Sequence, residues 1–293
     1  MPHLKIYQSL WAMEGLPGVD LDGDLPGAMG RILAAGFDGV GVNLARRPRA
    51  RIAAGILAER GLSWEAQCFV RDERDLARWL DEAIAIGGAH HLNVQVASGP
   101  DTPQAAIRLM QRLLAVTHGS PLPVCFETHR GRLTNDLFLT ALMLEACPRL
   151  RFTGDLSHWV TAHEMTLPLE PHLAGRIEAV LARTEALHLR VAGPNQAQVP
   201  LAAPQFADWR TMFEIWWRRG MEHWLARAGA DDSLTVLCEL GPPPYAVTDP
   251  EGRELTDRWA EALTLKATAQ GIFAEALAVA GTPASSNPVA GAA

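Results

Sequence analysis

The sequence is poor in cysteine and has no long apolar run. Its four cysteines are scattered through 293 residues, so we expect reduced core residues and neither disulfides nor zinc thiolates. They are Cys68, Cys125, Cys147 and Cys238. No apolar run approaches the roughly 20 residues of a membrane span, and no signal peptide is visible. These absences predict a soluble, cytoplasmic protein without a membrane partner.

Positive charge is also scarce. The chain has 26 Lys and Arg against 33 Asp and Glu, which gives a formal net charge of −7. The densest basic segment, 45–49, is interpreted as a solvated loop that leads into the second helix. Because polyanion binding needs a basic surface, we expect no nucleic-acid partner.

Short apolar runs recur along the chain at the spacing of a βα unit. Eight of them are predicted strands, at 5–11, 37–44, 63–69, 91–97, 124–129, 151–155, 186–191 and 234–240. Amphipathic helical segments lie between them, for example 51–60 with its stripe of Ile52, Ile56 and Leu57, and 76–86 with Leu76, Leu80 and Ile84. Gly36, Gly61 and Gly87 follow helical segments where a C-terminal cap belongs.

Eight alternating strands and helices predict an α/β fold, a single-domain (β/α)₈ TIM barrel over 1–280. Segment 281–293, rich in Ala, Pro, Ser and Gly, is a predicted disordered tail. An open, doubly wound sheet has the same alternation, but it would spread the strand ends along a line. The polar residues at the last four strand ends therefore favour the barrel, in which all ends face one mouth.

Those four strand ends carry residues that divalent metals prefer: Glu127, Asp155, His188 and Glu239. Side chains alternate along a strand, and the parity of each run allows all four to point inward together. Three carboxylates at one point repel unless a cation lies between them, which predicts one bound Mn²⁺, Mg²⁺, Co²⁺ or Zn²⁺ ion. The alternative is that each is a hydrogen-bonded polar residue near a barrel end.

The motifs around these residues resemble those of the xylose isomerase-like TIM barrel superfamily of sugar isomerases and epimerases, which also includes AP endonucleases. Phe126-Glu127-Thr128-His129 is similar to the strand-five segment, and Gly154-Asp155-Leu156-Ser157-His158 to the Asp-x-x-His segment of strand six. His188-Leu189-Arg190 and Cys238-Glu239-Leu240-Gly241 resemble the closing segments. The resemblance implies that Glu127, Asp155, His188 and Glu239 bind one ion and that His158 contacts substrate.

The activity implied is that of a divalent-metal-dependent isomerase or epimerase acting on a small sugar or polyol. Its reaction passes through an enediolate, with Glu127 and Glu239 as the acid/base pair and His158 as a catalytic hydrogen-bond donor. The alternative for His158 is a histidine that caps the loop after strand six. Two other functions stay open: a metal-dependent lyase, similar to inosose dehydratase, or a hydrolase, and a metal-holding protein that only binds a partner.

Further residues are candidates for substrate binding. Gln95 shares its parity with Asn93 on strand four and could meet substrate hydroxyls, with burial against backbone as the alternative. His129 and Arg130 directly follow Glu127 and could enter the site from the loop, where Arg130 would suit a carboxylate or phosphate. Trp11 and Trp159 could stack on a sugar ring, although aromatic residues at a barrel rim are more often packing. The remaining candidate is Arg190, two residues after His188.

The segment 206–224 is unusually aromatic, with four tryptophans and Phe213 within and just before one predicted helix. Most of them fall on one stripe, wider than a barrel helix normally needs. A homodimer interface near Trp216 and a lid over the mouth would each explain the stripe. Packing against neighbouring helices is the alternative.

Overall fold

A computed structural model describes residues 1–100 and 102–280, and the predicted disordered tail at 281–293 lies outside the described residues. Eight parallel strands form a closed barrel in chain order, and β1 pairs with β8 to complete it. The strands are β1 (His3–Ser9), β2 (Gly39–Asn43), β3 (Trp64–Val70), β4 (Ala89–Val96), β5 (Val124–Glu127), β6 (Phe152–Gly154), β7 (Thr184–Leu189) and β8 (Ser233–Cys238). The predicted (β/α)₈ barrel is confirmed.

Helices surround the barrel, one after each strand except that two follow β6. They are α1 (Leu25–Ala34), α2 (Arg47–Ala58), α3 (Glu73–Ile86), α4 (Pro103–Val116), α5 (Leu137–Ala146), α6 (Ser157–Ala162), α7 (Pro171–Leu181), α8 (Ala207–Leu225) and α9 (Arg258–Ala280). The glycines predicted to end helical segments have positive φ angles, 75° at Gly36, 66° at Gly61 and 81° at Gly87. Only glycine adopts such angles without strain, so these helix ends were predicted correctly.

The apolar stripes of two helices differ from those predicted. Ile52 on α2 is 45% exposed and Ile84 on α3 is 42% exposed, whereas Ala53 and Ala83 are fully buried. On both helices an alanine takes the buried position next to the predicted isoleucine, and small alanines let the helix backbone lie close to the strands. The predicted Ile52 and Ile84 contacts with the core are therefore wrong.

The aromatic residues of α8 are buried within the single chain. Trp209, Phe213, Trp216, Trp217 and Trp224 are each at most 7% exposed. Phe213 packs on Trp216 with 5.2 Å between ring centroids and on Trp217 with 5.9 Å. Intramolecular packing therefore accounts for the stripe, and the homodimer through Trp216 stays a prediction.

Cys68, Cys125, Cys147 and Cys238 are all buried and free. Among the described residues, no helix combines the length and the apolar character needed to cross a membrane.

Candidate functional site

The four residues predicted at the strand ends meet at the carboxyl-terminal mouth of the barrel. Glu127 is the last residue of β5, His188 lies on β7, and Asp155 and Glu239 directly follow β6 and β8. Each offers one ligand atom, and all four atoms lie within 4.8 Å of one another. All four side chains are buried. The closed barrel therefore brings together residues that are up to 112 positions apart in the chain, Glu127 to Glu239.

Glu127 is held by two amides from β4. Asn93 donates to its Oε2 atom at 2.5 Å and Gln95 donates to the same atom at 3.0 Å. The other oxygen, Oε1, is buried and has no hydrogen-bond partner. Burial, together with the nearby Glu239 and Asp155 carboxylates, raises the pKa of Glu127 to about 8 although His188 opposes the shift.

Arg190 enters the same cluster from the end of β7. Its Nη2 atom donates to Asp155 Oδ2 at 2.5 Å and to Glu239 Oε2 at 3.1 Å. Burial opposes the charge of Arg190, but the two carboxylates outweigh it and raise its pKa. Burial by itself would raise the pKa of Asp155. The charge of Arg190 opposes burial, and the pKa of Asp155 is lowered. A fixed internal cation thus offsets part of the acidic charge.

Glu65, on β3, was missed by the sequence reasoning. Its Oε1 atom lies 2.9 Å from His188 Nε2, and its Oε2 atom lies 3.2 Å from His91 Nε2. The Nδ1 atom of His188 faces Glu239 Oε2 at 3.1 Å, so carboxylates contact both ring nitrogens. Burial works against a charged His188, but Glu65 and Glu239 raise its pKa well above the ordinary value. An ionisable residue in the apolar segment 63–69 was the signal that could have revealed Glu65.

The donors in this cluster suit a divalent cation. Three carboxylates and one imidazole match the preferences of Mn²⁺, Mg²⁺, Co²⁺ and Zn²⁺. The buried, unpartnered Oε1 atom of Glu127 is a second observation in favour, because a cation would satisfy it. Glu65 would act as the carboxylate that orients the histidine ligand from behind.

A cavity of about 440 Å³ opens above the cluster, a size that suits a small molecule. Glu127, Glu239 and Arg190 form part of its lining, as do the predicted substrate-binding residues Gln95 and Trp11. Trp11 belongs to a 3₁₀ turn after β1 and not to the predicted strand. The Trp11 ring packs directly on Gly241. A Cβ atom at position 241 would lie 2.2 Å from this ring, so only glycine fits there.

Two of the predicted contacts do not reach the cavity. Trp159 is fully buried, and its Nε1 atom donates to the Thr134 carbonyl at 2.8 Å, so the prediction that it stacks on substrate is wrong. His158 is also fully buried, and its ring lies on that of His129 with 3.6 Å between centroids. The histidine that lines the cavity is His129, which covers His158.

Arg130 takes a different position from the one predicted. Its guanidinium lies 5.1 Å from the centre of the Tyr245 ring, and Arg132 is the arginine of this loop that lines the cavity. Tyr245 also contacts Arg190, at 4.9 Å, and packs edge-on against Trp11 at 5.2 Å. Tyr245 lies in the loop after β8, where no motif or periodicity marked it.

Fold and site together define the class as a (β/α)₈ barrel with a buried carboxylate and histidine cluster at its carboxyl-terminal mouth. No known family model and no curated protein matches the sequence. Solved structures do match, and they show the predicted TIM barrel fold.

Three of these structures illustrate the likeness. An L-ribulose 3-epimerase superimposes with a TM-score of 0.60 at 14% identity, covering 98% of this chain and 100% of the other. A xylose isomerase-like TIM barrel protein from Mycobacterium smegmatis, in complex with magnesium, gives 0.58 at 15% identity over 94% and 98%. A probable 3-DHS dehydratase from Bacillus anthracis gives 0.54 at 10% identity over 90% and 99%. At these identities the likeness shows the fold.

Proposed function

We propose that the protein is a divalent-metal-dependent isomerase or epimerase of a small sugar or polyol. The observation that carries the proposal is the convergence of Glu127, Asp155, His188 and Glu239 at the mouth of the barrel, where Glu127 and Glu239 line a cavity sized for a small molecule. A bound ion held by these four residues would polarise the carbonyl of a hydroxyketone or hydroxyaldehyde. The epimerase and the magnesium complex among the similar structures support this choice.

The chain's own residues would move the proton. Gln95 and Asn93 fix the orientation of Glu127 through its Oε2 atom, and this carboxylate would take the proton from the carbon beside the carbonyl. The electron pair of the broken C–H bond then forms the enediolate of the substrate. Glu239 also lines the cavity, and it would return a proton from a different position.

The first test measures the metal. Glu239→Gln and His188→Ala should each lower the bound divalent metal sharply, measured by elemental analysis of protein loaded with Mn²⁺. Glu251→Gln changes an exposed glutamate and serves as the control. Circular dichroism checks that each variant is folded. Equal metal content in folded Glu239→Gln and in the unmodified protein would refute the proposed ion site.

The second test measures proton transfer. Incubation with a panel of ketoses in D₂O should place deuterium on the carbon beside the carbonyl, detected by NMR. Glu127→Gln should abolish the exchange. Elemental analysis of this variant then shows whether the exchange is lost because the base is missing or because the metal ion is no longer bound. Turnover of a ketose with no deuterium incorporation would contradict the enediolate route.

A metal-dependent lyase is the second candidate, and His129 is the observation that favours it. This histidine lines the cavity beside Glu127 and belongs to a second cluster of possible ligands, Glu127, His129 and His158. A histidine in this place could donate a proton to a leaving hydroxyl, and the dehydratase among the similar structures has the same fold. Loss of 18 mass units from the substrate, about the mass of one water, would identify this reaction.

A further inference from the structure

We infer that the substrate carries an anionic group, a carboxylate or a phosphate, and that Arg132 binds it. This inference rests on the proposed function, because it places that group on the same small molecule that reacts at Glu127. It concerns the outer half of the cavity, which the four candidate metal ligands do not explain.

The loop that carries Arg132 is fixed by hydrogen bonds to the barrel. Leu133 N donates to Val96 O at 3.0 Å, and Arg132 pairs with Ala97 in an isolated bridge. Thr134 Oγ1 donates to the Glu127 carbonyl at 2.6 Å, which ties the same loop to the end of β5. The backbone of Arg132 is therefore anchored to two neighbouring strands at the mouth.

The side chain of Arg132 is oriented as well. Its Nε atom donates to Gln95 Oε1 at 3.1 Å, and its guanidinium lies 5.0 Å from the centre of the Phe69 ring. The aromatic contact explains why Phe69, 46% exposed, sits at the rim. Among the described residues, the two terminal nitrogens of Arg132 have no hydrogen-bond acceptor and no carboxylate partner. A planar pair of free donors fits a carboxylate or a phosphate.

A single side chain connects Arg132 to the reaction site. Gln95 bridges the two, because it accepts from Arg132 and donates to Glu127 Oε2 at 3.0 Å. One end of a substrate can thus lie at Glu127 while the other reaches Arg132 within the same cavity.

Two further arginines, Arg46 and Arg49, line the same cavity. Arg46 lines the cavity and, among the described residues, no acceptor lies within hydrogen-bonding distance of its side chain. Arg49 also lines it, but its guanidinium is paired with Glu14 at 2.8 Å and with Asp22 at 2.7 Å. In a chain of net charge −7, unpaired arginines at one opening attract an anion to that opening.

Calorimetry with the full chain, with and without Mn²⁺, tests the inference. The probes are D-fructose, D-fructose 6-phosphate and D-fructuronate, with inorganic phosphate added in the metal-free arm. The unmodified protein should bind at least one anionic sugar about tenfold more tightly than D-fructose, or better. Arg132→Gln should weaken the binding of that anionic sugar by about 10-fold to 100-fold, whereas its affinity for D-fructose should change little. The anion with the larger loss identifies the group as carboxylate or phosphate.

Arg219→Gln is the charge-matched control, because it removes an arginine of α8 that does not line the cavity. It should leave the preference for anionic sugars unchanged. Equal binding of neutral and anionic sugars, or an equal loss for all probes in folded Arg132→Gln, would overturn the inference.

The outcomes also separate this inference from the proposed function. Arg132-dependent binding of an anionic sugar with no deuterium exchange on any sugar would support the anion site and count against the isomerase. Deuterium exchange on neutral sugars without any preference for anionic sugars would support the isomerase and count against the anion site.

Discussion

At the scale of single residues, Arg190 determines the charge balance of the barrel mouth. The parity of its strand turns it inward with His188, and its Nη2 atom bonds to two of the four candidate metal ligands. The sequence predicted a substrate contact there. The structure adds that a fixed cation already lies beside the carboxylates, so any bound metal ion shares their charge with an arginine.

Replacing Arg190 by methionine tests this balance. Two buried carboxylates lose their partner, so Arg190→Met should lower the free energy of unfolding by about 3–5 kcal/mol, measured by urea denaturation. Added Mn²⁺ should restore more stability to the variant than it adds to the unmodified protein, because the ion replaces the missing positive charge. Arg219→Met, at a half-exposed ion pair with Glu178, should show little of either effect. Equal stabilisation of both proteins by Mn²⁺ would contradict the shared-charge account.

At the scale of elements, the strands deliver polar groups to both ends of the barrel. β4 carries Gln95 to the mouth, where it contacts Glu127, and places His90 near its start, in a second cavity at the opposite end. Burial lowers the pKa of His90 to about 4, with the charges of His91 and Lys5 acting in the same direction and Glu65 opposing them. The folded barrel therefore favours the neutral form of His90.

This preference predicts a pH dependence of stability. Unfolded histidine has a pKa near 6.5, so the contribution of neutral His90 is complete above that value and is lost as pH falls from 6.5 towards about 4. His90→Asn should therefore lose less stability over this interval than the unmodified protein, measured by urea denaturation at each pH. His3→Asn, at an exposed position of β1, controls for the substitution. Parallel curves for the His90 variant and the unmodified protein would refute the prediction.

At the scale of the whole molecule, the barrel closes through contacts between distant parts of the chain. His3 pairs with Ser233 where β1 meets β8, and α8 and α9 pack together on the outside. The tryptophans of α8 contribute to this outer layer, because each is almost completely covered by the chain itself. A partner subunit is not needed to cover them.

Trp216→Ala separates core packing from dimerisation. If the ring serves only the core, the variant should lose about 3–5 kcal/mol of unfolding free energy, measured by denaturant titration, and keep its molar mass in light scattering. Ile215→Ala changes a neighbouring side chain that is 46% exposed and should cost far less. A dimer in the unmodified protein that becomes a monomer in Trp216→Ala would favour the predicted interface instead.

The sequence by itself was sufficient to predict the barrel and to group the four residues at its mouth. Strand spacing and side-chain parity are local properties, and closure of the barrel forces strand ends of equal parity to one mouth. For this reason Glu127, Asp155, His188 and Glu239 could be grouped without any coordinates. The residue types alone then indicated a cation.

Only the tertiary structure decided which other side chains share the site. Glu65 reaches His188 across the barrel interior, and no local pattern records a contact between residues 123 positions apart. The choice of His129 over His158, and of Arg132 over Arg130, depends on how one loop turns back on β4. Loop conformation follows from specific long-range hydrogen bonds and not from periodicity, which is why the residues at the strand ends could be predicted but the loop residues that line the cavity could not be singled out.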